Sequence, residues 1–149
     1  MAYTISDACI GCRACLKICP TGAISGEKKE CHTLAPETCI ECGACGRVCP
    51  SGAVLDHFGL AMKRIPKKQW DRPEFDLKTC MSCAICLDTC PTSAISQELI
   101  LKGSPHLFPH LKDESLCIAC GFCASDCPAD AVDMVSRQEA KTAEPVKAG

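Results

Sequence analysis

The sequence lacks the apolar segments that mark secreted or membrane-spanning chains. A secretory signal needs a basic stretch followed by roughly 7–15 apolar residues, and no such run precedes the first cysteine, Cys9. No segment approaches the roughly 18 consecutive apolar residues that span a bilayer. We therefore expect a cytoplasmic protein without a membrane span, in a compartment that keeps thiols reduced.

Large apolar and aromatic side chains are also scarce. Aromatic residues make up 4% of the sequence, and Leu, Ile, Val and Phe together about a fifth, which is the lower border for a packed hydrophobic core. The formal net charge of −2 gives little support to the binding of polyanionic nucleic acid. Something other than apolar burial must therefore stabilise the fold.

Cysteine is the residue type in excess, with 17 of 149 residues. Such a content indicates either a disulfide framework or a metal-binding protein, and a reducing compartment disfavours the disulfides. Bonds to a metal can supply folding free energy, because no site exists in the unfolded chain. We expect the metal-free protein to be largely unfolded.

Sixteen of the cysteines belong to four copies of one motif, C-x2-C-x2-C-x3-C-P. The copies are CIGCRACLKICP, CIECGACGRVCP, CMSCAICLDTCP and CIACGFCASDCP, which begin at Cys9, Cys39, Cys80 and Cys117. They are followed by the short apolar runs TGAIS, SGAVL, TSAIS and ADAVDMV. The alternation of small and β-branched residues predicts a strand or turn after each Cys-Pro, and the proline ends any helix before it.

This spacing fits a 4Fe-4S cluster, in which each of four irons needs one thiolate. Three cysteines at intervals of three residues can wrap a loop around one side of the cluster, and small residues between them let backbone amides approach the sulfurs. Zinc sites usually combine two C-x2-C pairs and have no use for a C-x3-C-P extension. A three-iron cluster would lack the second cysteine of a motif, and every motif has it.

The motifs and their apolar followers resemble those of bacterial two-cluster ferredoxins, repeated in tandem over nearly all of residues 4–136. The resemblance implies an α+β fold of two pseudo-symmetric ferredoxin-like modules, with short helices and short hairpins held by four 4Fe-4S clusters. It also implies that the fourth cysteine of each motif ligates the cluster of the neighbouring motif. The implied ligand sets are Cys9, Cys12, Cys15 and Cys49; Cys39, Cys42, Cys45 and Cys19; Cys80, Cys83, Cys86 and Cys127; and Cys117, Cys120, Cys123 and Cys90.

Which motifs pair is a separate prediction. The motif starts are 30 residues apart from Cys9 to Cys39, 37 from Cys80 to Cys117, and 41 from Cys39 to Cys80. The longest gap also contains a change in composition, which favours pairing of sequence neighbours over pairing across modules. We predict a first module at 1–60, a linker at 61–75, a second module at 76–136 and a polar tail at 137–149.

Four features lie outside the motifs. The region 57–76 is basic, carries the only tryptophan, Trp70, and has two prolines that exclude a continuous helix. It is either a solvated linker or a docking strip, because Trp and Arg are enriched in interfaces and positive charge attracts acidic partners.

The segment 96–114 is seven residues longer than its counterpart in the first module, and we interpret it as a surface loop or a partner contact. Cys31 is predicted to be a free thiol, and the tail to be frayed or ordered only on a partner.

Full thiolate ligation leaves no open iron for a substrate, and no nucleophile, acid–base pair or phosphate-binding loop is visible. We therefore predict a non-catalytic carrier of single electrons. The chain resembles the four-cluster subunits of tungsten-dependent aldehyde oxidoreductases and of related molybdenum enzymes and hydrogenases. That resemblance implies a catalytic partner subunit and a ferredoxin or flavoprotein acceptor. The alternatives are a free, low-potential polyferredoxin and an iron-sulfur sensor, although a sensor would need a nucleic-acid-binding element that the sequence does not show.

Overall fold

The computed structural model describes residues 2–137 and divides the chain into two compact units, Met1–Lys67 and Lys68–Gly149. Each unit contains two short helices and two two-stranded antiparallel sheets, in the order strand, helix, strand, strand, helix, strand. The predicted α+β class is therefore confirmed. No helix within residues 2–137 has the length and apolar content needed to cross a membrane, and nearly all of the predicted tail, 138–149, lies outside the described residues.

The strands of the first unit are only two residues long. Its elements are β1 (Thr4–Ile5), α1 (Ala14–Ile18), β2 (Ile24–Ser25), β3 (Thr33–Leu34), α2 (Ala44–Val48) and β4 (Val54–Leu55). β2 and β3 form a hairpin with Ser25 opposite Thr33. β1 pairs with β4, so the two ends of the unit are joined.

The second unit repeats this order with four-residue strands. Its elements are β5 (Arg72–Phe75), α3 (Ile85–Asp88), β6 (Ile95–Glu98), β7 (Phe108–Leu111), α4 (Phe122–Ser125) and β8 (Val132–Val135). β6 and β7 form the hairpin, with Ser96 opposite His110 and Gln97 opposite Pro109. β5 pairs with β8 along its whole length.

Each helix is bounded by features of the cysteine motif. The residue before each helix is in the left-handed conformation, with φ values of 65, 70, 64 and 80 degrees at Arg13, Gly43, Ala84 and Gly121. Each helix ends before the fourth cysteine of its motif, because the proline that follows cannot continue it. A strand then follows every Cys-Pro, as predicted.

The cores are small and contain many cysteines. The buried cluster of the first unit consists of Cys15, Ile24, Cys45, Cys49, Ala53 and Val54. The buried cluster of the second unit consists of Cys86, Ile95, Cys123 and Val132. Since about half of these side chains are thiols, apolar burial alone gives each unit little stabilisation.

The two ends of the region predicted as a linker each pair with a strand of the unit to which they belong. Met62 N–H donates to the Val54 carbonyl at 2.9 Å and thereby extends the edge of β4. The strand at Arg72–Phe75 was not foreseen, because Pro73 lies within it and proline normally disfavours a strand. Trp70 is only 2% exposed, so its side chain belongs to the protein interior, and the choice between a solvated linker and a docking strip depends on the other residues of the segment.

Candidate iron-sulfur centres

Each three-cysteine loop contains two residues with positive φ, one directly before the second cysteine and one directly after it. These residues are Gly11 and Arg13, Glu41 and Gly43, Ser82 and Ala84, and Ala119 and Gly121. Left-handed residues between right-handed ones turn successive N–H groups toward one side and form a concavity suited to an anionic cluster. Five of these eight residues are not glycine. Their left-handed conformation could therefore be predicted only from the cysteine spacing and not from the positions of glycines.

Gly11 has a further reason to be glycine. A Cβ atom there would lie 2.5 Å from the Glu30 nitrogen, where the loop of the first motif touches the turn of the β2–β3 hairpin. Lys29 N–H donates to the Gly11 carbonyl at 3.1 Å. The hairpin is therefore held directly against the loop that begins at Cys9.

Two cavities in the second unit each bring together the three-cysteine loop of one motif and the fourth cysteine of the other. Their volumes, including the open mouths, are ≈ 320 and ≈ 330 Å³. The first is lined by Cys117, Cys120, Cys123 and Cys90, and the second by Cys80, Cys83, Cys86 and Cys127. The structure thus places each of these predicted sets of four around one cavity.

A cavity of similar size, ≈ 300 Å³, is present in the first unit. It is lined by Cys39, Cys42, Cys45 and Cys19. Of the remaining predicted set, Cys15 and Cys49 belong to the buried cluster of the same unit, and Cys9 packs against that cluster. Cys12 is exposed, and a negative charge on it would raise the pKa of Cys15.

These residues fit a 4Fe-4S cluster better than a single ion. Zinc–sulfur bonds of about 2.3 Å would draw four thiols toward one point, and among residues 2–137 no group of three or more His, Cys, Asp or Glu side chains is placed to hold one metal ion. The thiols instead surround cavities, as an iron-sulfur cube requires. When a cluster is bound, it exchanges one electron at a time, and its potential responds to hydrogen bonds to the sulfurs.

The fourth cysteine of each motif accepts hydrogen bonds from the segment that follows it. The N–H groups of Ala53, Ala94 and Ala131 each lie 3.3 Å from the sulfur of Cys49, Cys90 and Cys127, respectively. A hydroxyl two residues after the cysteine adds a second contact: Thr21 to Cys19 at 3.5 Å, Ser51 to Cys49 at 3.5 Å, and Thr92 to Cys90 at 3.7 Å. Cys127 has Ala129 at that position and so lacks the hydroxyl.

These contacts change the thiol pKa values. Burial acts to raise the pKa of Cys19, Cys49 and Cys90, but the hydroxyl and amide donors outweigh it, and each pKa is lowered. The lower pKa increases the fraction of thiolate, the form that binds iron, at these three positions before any cluster is bound.

The third cysteine of each motif shows the opposite shift. Burial is the largest cause, and the charges of neighbouring thiolates add to it. The pKa of Cys15 is raised, the pKa of Cys86 is raised to about 11, and the pKa values of Cys45 and Cys123 are raised to about 12. These thiols hold their protons at neutral pH in the absence of iron. Cluster binding must therefore release protons at these positions.

Sequence reasoning missed a histidine beside the first motif. His32 is 1% exposed, and its Nδ1 lies 3.6 Å from the sulfur of Cys9. The neighbouring Cys31 is exposed, and its thiol is 3.6 Å from the carbonyls of Ser6 and His32. A lone histidine in a hairpin has no recognisable sequence pattern, so only the fold could place it at the ligand.

Comparison with known proteins agrees with this site chemistry. Residues 8–53 and residues 38–95 match two families that are each described as a 4Fe-4S dicluster domain. Residues 110–133 match a 4Fe-4S binding domain. The chain is a 4Fe-4S protein of the polyferredoxin type. Its cofactors are multiple 4Fe-4S clusters, and the matched ranges include all sixteen motif cysteines.

Two relatives show similarity over different lengths. This polyferredoxin-type chain is 53% identical over 34 residues to one subunit of the ion-translocating oxidoreductase complex of Magnetococcus marinus, and the match spans 23% of the chain and 19% of that protein. A chain from the formate dehydrogenase–heterodisulfide reductase–formylmethanofuran dehydrogenase complex of Methanospirillum hungatei is 23% identical, with a TM-score of 0.44. The alignment spans 90% of this chain but only 50% of that one.

Proposed function

We propose that this protein is an electron-transfer subunit that holds four 4Fe-4S clusters in two tandem, pseudo-symmetric modules. Each cluster takes three cysteines from one motif and the fourth cysteine of the other motif in the same unit. The lining of the cavities carries this proposal, because a fourth cysteine from the neighbouring motif faces the three-cysteine loop in each of three cavities. The same order of elements in both units supports the pseudo-symmetry.

The residues of the chain act as ligands and as a polar shell around them. Sixteen thiolates would satisfy all of the irons, so no coordination position remains for a substrate. Amide and hydroxyl groups donate to the sulfurs of Cys19, Cys49 and Cys90 and stabilise their negative charge. We therefore propose a non-catalytic role, in which the protein relays single electrons.

Exposed apolar and basic residues support docking onto another subunit. In the loop between β6 and β7, Leu99 is 65% and Leu107 is 46% exposed. The exposed basic residues of the segment are Lys63, Arg64, Lys67 and Lys68. A partner of the oxidoreductase class is consistent with the short match to a complex subunit. A tungsten or molybdenum enzyme as catalytic partner, a ferredoxin or flavoprotein as acceptor, and the cytoplasmic location remain predictions.

Anaerobic purification of the tagged chain from its native host would test the cluster number and the partner together. We expect about sixteen irons and as many sulfides per chain, with a larger subunit that contains tungsten or molybdenum in the same peak. A lone protein with the same iron content would instead establish a free polyferredoxin. An iron content far below four clusters would contradict the proposed function.

The exchange of fourth cysteines between motifs has a sharper test. If Cys49 ligates the cluster of the Cys9 motif, then Cys9→Ser and Cys49→Ser damage the same cluster, and the double variant loses about four irons. Cys39→Ser with Cys49→Ser should damage two clusters and lose about eight. Cys31→Ser is the control and should retain all iron. The opposite ranking of the two double variants would contradict the exchange.

A further inference from the structure

A buried histidine lies beside the first cysteine of the first predicted ligand set. In the first unit, the imidazole of His32 is fully buried with Nδ1 3.6 Å from the sulfur of Cys9. This separation is within hydrogen-bonding range for sulfur, whose radius is larger than that of oxygen. A ligating thiolate can only accept, so a productive contact needs the proton on Nδ1.

The surroundings of His32 favour that tautomer. Nε2 is buried and has no hydrogen-bond partner among residues 2–137. A proton on Nε2 would leave an orphan buried donor and point a lone pair of Nδ1 at the thiolate. A proton on Nδ1 leaves only an unpaired acceptor, and unpaired buried acceptors are less rare than unpaired buried N–H groups.

The position of the imidazole is set by the fold of the hairpin. A Cβ atom at Gly26 would lie 2.9 Å from Cδ2 of His32, so the absence of a side chain there makes room for the ring. The carbonyl of Ser6 accepts from Cys9 N–H at 3.0 Å and from the Cys31 thiol at 3.6 Å. The segment that carries His32 is therefore tied to the backbone that carries Cys9.

The second unit provides an internal comparison. Ser25 pairs with Thr33 in the first hairpin, and Ser96 pairs with His110 in the second, so Thr33 and His110 occupy equivalent positions. The residue before each of them is His32 in the first hairpin and Pro109 in the second. Pro109 lines the cavity that contains Cys80, Cys83, Cys86 and Cys127. Proline has neither a side-chain donor nor a backbone N–H, so it cannot donate to the sulfurs of that set.

We propose that His32 donates a hydrogen bond from Nδ1 to the sulfur of Cys9 and so makes the cluster of Cys9, Cys12, Cys15 and Cys49 easier to reduce than its counterpart with Cys80. Reduction adds one electron, supplied by a one-electron donor, and no bond is made or broken. The added negative charge is shared with the thiolates, so a donor stabilises the reduced form more than the oxidised form. This inference rests on the proposed ligand sets.

The test compares two variants of nearly equal shape. His32→Asn keeps an N–H close to the position of Nδ1, whereas His32→Leu has no donor. His110→Leu is the matched control, because His110 lies at the adjacent hairpin position of the other unit and contacts Ser96 at 3.1 Å rather than a cysteine. The readout is an anaerobic redox titration of the full chain, followed by electron paramagnetic resonance, with iron and sulfide analysis of each sample.

In His32→Leu we expect one of the four one-electron transitions to move to lower potential. Its ratio of reduced to oxidised cluster at a fixed potential should fall about three- to tenfold, where tenfold corresponds to about 59 mV. His32→Asn should stay within about twofold of the unaltered chain, and His110→Leu should not change. If His32→Leu keeps its full iron content and shows no shift, or if all three variants shift equally, the inference is overturned but the proposed function is not.

A second measurement covers the case in which His32→Leu does not assemble. Pulsed electron paramagnetic resonance of the unaltered, partly reduced chain labelled with ¹⁵N-histidine should show weak coupling of one histidine nitrogen to a reduced cluster. That coupling should disappear in His32→Asn. Its absence from the unaltered chain would overturn the hydrogen bond, whereas iron for fewer than four clusters would overturn the proposed function and the inference with it.

Discussion

The first and second units carry the same cysteine motifs but surround them differently. In the first unit the strands are two residues long. The side chain of His32 contacts Cys9, and the side chain of Met62 packs against α2. In the second unit the strands are four residues long, the hairpin is extended, and Pro109 occupies the place of His32. The motif thus sets the loop around each cavity, whereas the hairpins and terminal strands set the polar groups that reach the sulfurs.

Removal of iron has the largest expected effect, and both units should lose their structure in spite of their different strand lengths. Both cores depend on cysteine side chains that are ligands in the proposed holo-protein, so we expect both units to unfold on anaerobic chelation. Far-ultraviolet circular dichroism before and after chelation measures this loss. A native-like spectrum of the metal-free chain would contradict the prediction, and protection from hydrogen exchange in only one unit would show that its core is independent of the clusters.

A leucine at Gly46 should destabilise the first unit. A Cβ atom at Gly46 would lie 2.1 Å from the sulfur of Met62, so we expect Gly46→Leu to cost about 1–3 kcal/mol by overpacking. The midpoint of thermal bleaching of the visible absorption measures the change. Ala124→Leu, at the matching position of α4, should cost less because Ala124 is only half-buried.

Truncation of Met62 provides the control for that clash. Gly46→Leu combined with Met62→Ala should recover part of the lost thermal stability, because the atoms that overlap are removed. If the double variant is less stable than the sum of the two single variants predicts, then contact with Met62 is not the cause.

An exchange of hydroxyl groups should move the potentials of the two units toward each other. Ser51→Ala removes the donor to Cys49, and Ala129→Ser adds one beside Cys127. We expect the reduced-to-oxidised ratio of one transition to fall about two- to fivefold in the first variant and to rise by a similar factor in the second, or ~0.4–1 kcal/mol for one hydrogen bond. Redox titration measures both changes, and shifts of the same sign would contradict the assignment.

The smallest effect is expected for the contact between His110 and Glu98 on the long hairpin. Nε2 of His110 lies 3.7 Å from a carboxylate oxygen of Glu98, which is largely exposed. Exposed pairs contribute little, so Glu98→Gln should change the free energy of unfolding by less than about 0.5 kcal/mol. A larger loss in thermal bleaching experiments would show that the extended hairpin is more important to the second unit than its exposure suggests.

Local features were predictable from the sequence, and distant contacts were not. The helix ends before Cys19 and Cys49 and the strands after each Cys-Pro follow from proline and from residues a few positions away. β1 and β5 were missed because short strands that pair with the far end of a unit show no periodic pattern. The correspondence of His32 with Pro109 was hidden by the seven-residue difference between the hairpins and emerged only from the strand register.

The sequence by itself determined the chemistry of this protein, because the spacing of sixteen cysteines along the chain specifies thiolate loops suited to 4Fe-4S clusters. The tertiary structure brings a fourth cysteine to the loop in three cavities and decided which donors reach the sulfurs. It placed Cys90 beside the loop of Cys117 and His32 beside Cys9. Those arrangements depend on strand pairing and packing between residues that are far apart in the chain, and no local pattern encodes them.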